Sequence, residues 1–527
     1  MKNIIKIHAG MEDLTRKMQE ILSNLEADNE NVIEFEKGTY YFYREGSSKH
    51  KIFSSGGPST QNYVVFPIFN VKNLTIDGNG SDFVFCDRMQ AFMVQNSENV
   101  TFKNFQTDFS FLRYAYGKVS SINEKGFSIE LDKEKFDYYV QDGNIHFVCG
   151  MDTLSTKTRK ISMKRISPTN SGVYFLYSKD TQARINKAAP TVFFHAEETD
   201  GGVFFRYEEN SVQADFHVGD VICLAYDNDR EAQTFYSENS KGITIENVAI
   251  HRGGGMGFVA DVCENIVIDG LKIQLKAGRE EYYTTTADGI FLTNCSGDFI
   301  LRNSLISDTY DDAINVHGFY VAVKNILTEN EAELEHLHLA HNGLEVCKVG
   351  DVLRVSRRED FQELGEIKVL EVYFDEERKR IRIKHDGAIP LPIGALLENA
   401  GRMPTVKIEN CKFSNCPHIR LSSGQMMVYN NEFSLSSRDL YIWDLIDFWA
   451  ESGATNLLEI VGNSFSNTSG FNIEIGSCRP LTSNRLHEKV VIKNNRFVYP
   501  ENKALRLSAV KELELKDNTF GKNSGEV

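Results

Sequence analysis

Three carboxylates hold the chemistry written into this chain: Asp288, then the adjacent pair Asp311 and Asp312, with His317 just beyond. Asp288 opens the apolar segment of ADGIFLTNC, and the pair opens that of DDAINVHG, 23 residues further on from Asp288 to Asp311. In a chain that coils with about that period, equal positions stack one inter-strand spacing apart, roughly 4.8 Å. The three carboxyl groups then share one patch. Like charges so close do not all ionise, so the set is expected to hold at least one proton near neutral pH and to titrate as a unit. Glycoside hydrolysis needs such a set, with one carboxylic acid to protonate a leaving oxygen and another carboxylate to activate water. The competing reading is that Asp residues in turns merely cap backbone N–H groups. The coil register and the neighbouring His317 are what set this trio apart.

Other candidates lie in separate stretches. In Trp449-Ala450-Glu451-Ser452-Gly453 an aromatic face could stack on a sugar, with Glu451 accepting from hydroxyls. His251 precedes the run Arg252-Gly253-Gly254-Gly255-Met256-Gly257, where missing side chains let backbone or ligand approach closely. His418 and Arg420, in NCPHIRLSSG, enter another apolar segment and are further candidates for the same cleft. Arg382-Ile383-Lys384 has the form of a pectinase motif but falls in an unrelated stretch and is set aside.

The elements that must position these groups are short repeats. Glu98 to Phe105 reads ENVTFKNF, Lys241 to Ile250 KGITIENVAI, Glu264 to Ile273 ENIVIDGLKI and Asp298 to Ile306 DFILRNSLI. Later, VKIENCKF, MMVYNNEF, LEIVGNSF, VVIKNNRF and LELKDNTF end at Phe413, Phe433, Phe465, Phe497 and Phe520, at intervals of 20, 32, 32 and 23 residues. Alternating apolar positions at this recurrence predict an all-β chain wound as a parallel β-helix. The repeated Asn suits a turn where φ becomes positive. Met11 to Asp28 carries Leu14, Met18, Ile21, Leu22 and Leu25 at helical spacing, a cap for the open end of the solenoid. Two stretches break the rhythm with longer, charged, hairpin-like strands, and share the phrases His217-Val218-Gly219-Asp220-Val221-Ile222 and Lys348-Val349-Gly350-Asp351-Val352-Leu353. The predicted organisation is therefore a cap helix and first coils in 1–115, an inserted small antiparallel β-barrel in 116–235, and central coils with the carboxylates in 236–323. A second inserted barrel follows in 324–400, and C-terminal coils in 401–527.

Composition narrows the partners. With 527 residues, 41% of them hydrophobic, and 35 Phe and 38 Gly against 10 Pro, the chain suits many short strands. A net charge of −16 without a basic block argues against nucleic acid and makes an anionic polysaccharide an awkward substrate, so a neutral glycan fits better. Nine scattered cysteines without ligand spacing read as free thiols, mostly buried. No run has the length of a membrane span, so no membrane insertion is expected. The start shows no signal peptide, which reads as a cytoplasmic chain or an exported one whose signal has been removed. A homodimer is left open.

ADGIFLTNC, DDAINVHG, the upstream GGMGF and the downstream WAESG together resemble the motifs of glycoside hydrolase family 110, the exo-acting α-1,3-galactosidases. The resemblance runs in order along most of the chain. It implies a right-handed parallel β-helix with an N-terminal capping helix and two inserted barrels. It also implies an inverting hydrolase of glycans with terminal α-1,3-linked galactose, without metal or other cofactor, with Asp288, Asp311 and Asp312 at the acidic catalytic positions. Similarity to the polygalacturonase arrangement would make Asp311 the acid and give the water to Asp288 and Asp312, although a His five residues after Asp312 departs from that spacing. CPHIR around His418 departs from the family's arginine-rich phrase. Inversion ordinarily sets acid and base roughly 6.5 to 9.5 Å apart, so the side chains are expected to diverge from their turns. The alternatives are a polygalacturonase-like hydrolase, for which Arg279 and Arg302 are the nearby cations, and a non-catalytic glycan-binding β-helix.

Overall fold

A computed structural model describes the chain apart from residues 1, 12, 27–28, 56–59, 150–151, 156–162, 167–172, 175–193, 208–217, 226–229, 231, 376–379, 437, 445–448, 467–469, 478–486 and 522–527. Its framework is a stack of coils whose equivalent strands pair in parallel, a β-helix. One late coil shows the plan: Thr405–Glu409, a corner at Asn410, Lys412–Ser414, then Ile419–Leu421 on a separate sheet. The corner residue takes a left-handed conformation, with φ of 56° at Asn410, 54° at Asn430, 56° at Asn494 and 53° at Asp517. Asn and Asp tolerate that region better than other residues with a side chain, which is why the repeats carry them.

The residue after each corner does different work. Asn431, Asn463, Asn495 and Asn518 form a ladder inside the solenoid. Each of the first three donates its backbone N–H to the Oδ1 of the next, at 2.8, 2.8 and 2.9 Å. Beside the ladder Phe413, Phe433, Phe465, Phe497 and Phe520 stack with centroids 4.8 to 5.2 Å apart. Neighbouring coils thus bury ring on ring and amide on amide at the strand spacing.

The N-terminal helix is shorter than predicted, Leu14–Ser23, and buries Leu14, Met18 and Leu22 against the first coils. Before it lies a strand that the sequence reading missed: Lys2–Ile7 pairs in parallel with Glu30–Phe35. Its KNIIKI alternation is short and was read as the lead-in to the helix.

Both interruptions are antiparallel. Six strands from Val321–Thr328 to Leu396–Asn399 close into a barrel, which also contains Arg382-Ile383-Lys384. The first interruption runs from Tyr114–Asn123 to Val221–Ala225 as a seven-stranded sheet, and among the described residues no pairing closes it into a barrel. The two shared phrases adopt one conformation. Gly219 and Gly350 both have φ of 96° and donate to Val119 O and Val369 O at 2.8 Å. Val119 and Val369 in turn donate to Asp220 O and Asp351 O. His217 of the first phrase lies outside the described residues. Seven described cysteines are free thiols, all but Cys86 buried, while Cys149 and Cys478 lie outside that description. Among the described residues no helix is long and apolar enough to cross a membrane.

One buried carboxyl away from the acidic trio sets a pH dependence. Asp261 is fully buried, accepts from Ser55 N–H at 3.0 Å and the Ser55 hydroxyl at 2.5 Å, and is pushed up to about 7 by burial, against those hydrogen bonds. Its native form prefers the proton. The stabilising contribution is therefore full below the unfolded value of about 4 and is lost as pH rises towards 7. Asp261→Asn keeps an acceptor for Ser55 and cannot ionise. In urea unfolding the variant is expected to exceed the natural chain at pH 8, with the gap shrinking at pH 5; a gap equal at both pH values would contradict this.

Candidate active site

The separate sheet brings the trio together. Ile290–Thr293 pairs in parallel with Ile314–Phe319, Ile290 opposite Ile314. That register is 24 residues, not 23, so Asp288 stacks on Asp312 and Asp311 sits one residue earlier, its N–H donating to Ala287 O at 3.3 Å. The extra residue is the paired Asp itself, inserted in the corner before the strand. One oxygen from each carboxylate lies within 4.8 Å of the others. The side chains converge, contrary to the expected divergence, because all three leave the same corner of adjacent coils.

Their surroundings differ. The Asp288 side chain is 2% exposed, Asp312 7% and Asp311 41%. Burial, reinforced by Asp311 and opposed by Arg230, holds the Asp288 carboxyl well above the usual carboxylate range. Burial raises Asp312 too, while His418 pulls the other way, its Nε2 2.9 Å from Asp312 Oδ1. The trio is thus a coupled set that retains protons where isolated Asp would not.

Arg230 is the residue that the sequence reading missed. Its guanidinium donates to Asp311 Oδ2 at 2.7 Å, lies 3.6 Å from Asp288 Oδ2, and sits 5.9 Å from the Trp449 ring centre. Burial disfavours its charge, but Asp288, Asp311, Asp312 and Glu451 outweigh that and hold the cation. The glycine run explains its placement. A Cβ on Gly254 would come within 1.8 Å of Ala232 O, and Gly255 N–H donates to that same carbonyl at 2.7 Å. The glycines thus let the returning end of the first insertion lie on the coil and deliver Arg230 to the carboxylates.

The far wall comes from the WAESG stretch. Glu451–Ser452 runs antiparallel to the end of Ile314–Phe319, Glu451 opposite Phe319 and Ser452 opposite Gly318. A side chain at Gly318 would meet Ser452 Oγ at 2.6 Å, so only glycine permits this crossing. Buried Glu451 pairs with Arg420 Nη2 at 2.5 Å and lies 3.6 Å from His317 Nε2. His317 is buried, its Nδ1–H donating to Gly318 O at 2.7 Å, and burial lowers its basicity. That fixes it as a neutral support behind Glu451 rather than an exposed sugar contact. Trp449 is half-buried, its ring 4.6 Å from that of His338. His251 stands apart: its ring nitrogens contact Gln106 Oε1 and Gln274 O, and the structure gives it no contact with the trio. Nor do Arg279 and Arg302 reach the trio; they pair with Asp108 and Asp269.

Buried polar atoms without a hydrogen-bond partner gather here: Asp288 Oδ2, Asn315 Oδ1, Arg420 Nε and Glu451 Oε2. Such groups are costly when left unmet, and together they match a ligand rich in hydroxyls. Three acidic oxygens could also take a hard cation. Arg230 already supplies positive charge to two of those carboxylates.

No protein-family model matches the chain. Curated relatives do, along most of its length. It is 26% identical to an α-1,3-galactosidase A of Shewanella woodyi, over 93% of this chain and 80% of that one. It is 26% identical to an α-1,3-galactosidase B of Phocaeicola vulgatus, over 92% and 75%, and 25% identical to an α-1,3-galactosidase B of Parabacteroides distasonis, over 97% and 85%. Among solved structures a family 28 exopolygalacturonase of Yersinia enterocolitica aligns over 99% of this chain and 79% of its own, at 11% identity and a TM-score of 0.32. That score is too low to carry an inference about the site.

Proposed function

From the premise that this chain belongs to glycoside hydrolase family 110, we propose that it releases terminal α-1,3-linked galactose from glycans, blood-group-B-like or linear, with inversion and without a metal. The observation that carries the reading is the convergence of Asp288, Asp311 and Asp312 within 4.8 Å beside orphaned buried polar groups.

Exposure divides the work. Asp311 is the carboxyl open enough to meet a leaving oxygen and acts as acid; as its proton leaves, Arg230 meets the new carboxylate at 2.7 Å. The inward pair, Asp288 and Asp312, takes the proton of the attacking water. Three carboxylates suit this better than retention, which needs only an acid and a nucleophile, although the compact spacing is nearer the roughly 5 to 5.5 Å of retaining enzymes. Family membership tips the balance to inversion. Glu451, held by Arg420 and backed by His317, accepts sugar hydroxyls, and Trp449 offers a stacking face. The strand at Glu451 closes the end of the cleft, which favours a chain terminus over an internal residue.

The polygalacturonase-like alternative gains two cations in the structure, Arg230 and Arg420, but each is already matched by carboxylates of the protein. A panel of aryl glycosides, polygalacturonate and terminal-galactose oligosaccharides, run with and without a chelator, is the test. Release of galactose from α-1,3-linked termini, undiminished by the chelator, is expected. Turnover of polygalacturonate alone, binding without turnover, or loss in chelator restored by Ca²⁺ would each overturn the reading.

A further inference from the structure

Beyond the trio, the same sheet carries an aromatic surface that this mechanism leaves unused. Leu440–Asp444 pairs in parallel with Ile419–Leu421, Tyr441 opposite Arg420, so Tyr441 and Trp443 leave the strand on one side. Their rings are nearly parallel, 12° apart, with centres 5.9 Å from one another. His418, which touches Asp312, packs its ring edge-on to Tyr441 at 5.3 Å. The surface is therefore continuous with the catalytic carboxylates.

Trp443 is seated in a built position. It faces Gly476 on the next coil, where an added Cβ would lie 2.0 Å from the ring. The indole lies across the gap that this glycine leaves. Ser422 Oγ fixes the backbone beneath it by donating to Trp443 O at 3.1 Å. Trp443 is half-buried, so part of its surface stays in contact with solvent. Tyr441, by contrast, is flanked by Arg438 and Arg420 at 4.5 and 5.6 Å.

We infer that Trp443, laid across Gly476, is the stacking platform for the sugar on the leaving side of the scissile bond, a neutral pyranose presenting an apolar C–H face. The inference rests on the galactosidase reading. The galactose to be released occupies the space bounded by Arg230, Glu451 and Trp449, and Asp311 protonates the oxygen linking it to the next ring. Tyr441 and Trp443 are reached from the trio through His418, on the side away from the closing wall. A pyranose there meets an aromatic face, the ordinary partner for its C–H surface.

The experiment compares two substrates on the full chain: α-1,3-linked galactobiose, which fills the platform, and α-galactosyl fluoride, whose leaving group is a single atom. Trp443→Ala is expected to lower the ratio of their kcat/KM values roughly tenfold, the scale of one aromatic stacking contact. Trp443→Phe should restore most of the ratio. Gly476→Ala, which leaves the indole intact but pushes it off its seat, should lower the ratio as well. A ratio unchanged in Trp443→Ala, or equal losses on both substrates, overturns the platform. A natural chain that cleaves neither substrate instead overturns the galactosidase reading, and the platform with it.

Discussion

Asp311→Asn and Asp312→Asn are each expected to lower kcat on a terminal α-1,3-linked galactoside by about 10³-fold, within the range for loss of a general acid or base, and Asp288→Asn by a similar factor. The amide keeps the size of the side chain and removes the proton transfer. The expectation has a second half that separates catalysis from architecture. Asp288 is buried beside two other carboxylates and holds its proton at a cost to the ionised form. A neutral amide there removes like-charge repulsion, so the melting temperature of Asp288→Asn should hold or rise near pH 7 while turnover collapses. Parallel loss of stability and turnover would mark these residues as turn caps. Activity retained in all three variants would remove the proposed chemistry.

Arg230→Gln should move the acidic limb of the kcat/KM profile to higher pH by about one to three units, the span that an opposite charge at contact distance imposes on a carboxylate. The sign follows from the contacts. Arg230 is 3.6 Å from Asp288 and draws its carboxyl downward. Without the cation the water-activating pair ionises only at higher pH, so activity falls most at low pH and recovers partly as pH rises. Asp311 also loses the charge that meets its developing carboxylate, so even the plateau should lie below that of the natural chain. A profile lowered uniformly with its limb in place would show that Arg230 serves only to hold structure.

The coils were legible because their signals are local. The Phe that stacks, the Asn at the corner and the alternation between them recur within eight residues, and each has its own physical reason to be there. The trio was legible for the same cause, though its register was one residue out, because a doubled Asp in a corner does not reveal which member continues the strand phase. Arg230 was not legible. It lies 81 residues before its partner Asp311 and outside every repeat, and nothing in the residues around it marks a cation bound for the carboxylates. Its only trace is indirect: the glycines from Gly253 to Gly255 announce a close approach without naming what approaches. His317 shows the converse. Its position beside the trio was visible, but burial and the bond to its own neighbour's carbonyl, which make it a support for Glu451, depend on the strand that crosses above it.

Proton NMR of α-1,3-linked galactobiose mixed with fresh protein tests the central claim most directly, because it reads cleavage and the path of the water together. The expected first product is β-galactose, with the α-anomer growing only as mutarotation proceeds. α-Galactose appearing first would mean that a carboxylate at this compact spacing attacks the sugar itself, and would contradict the account of Asp288 and Asp312 as the pair that directs water.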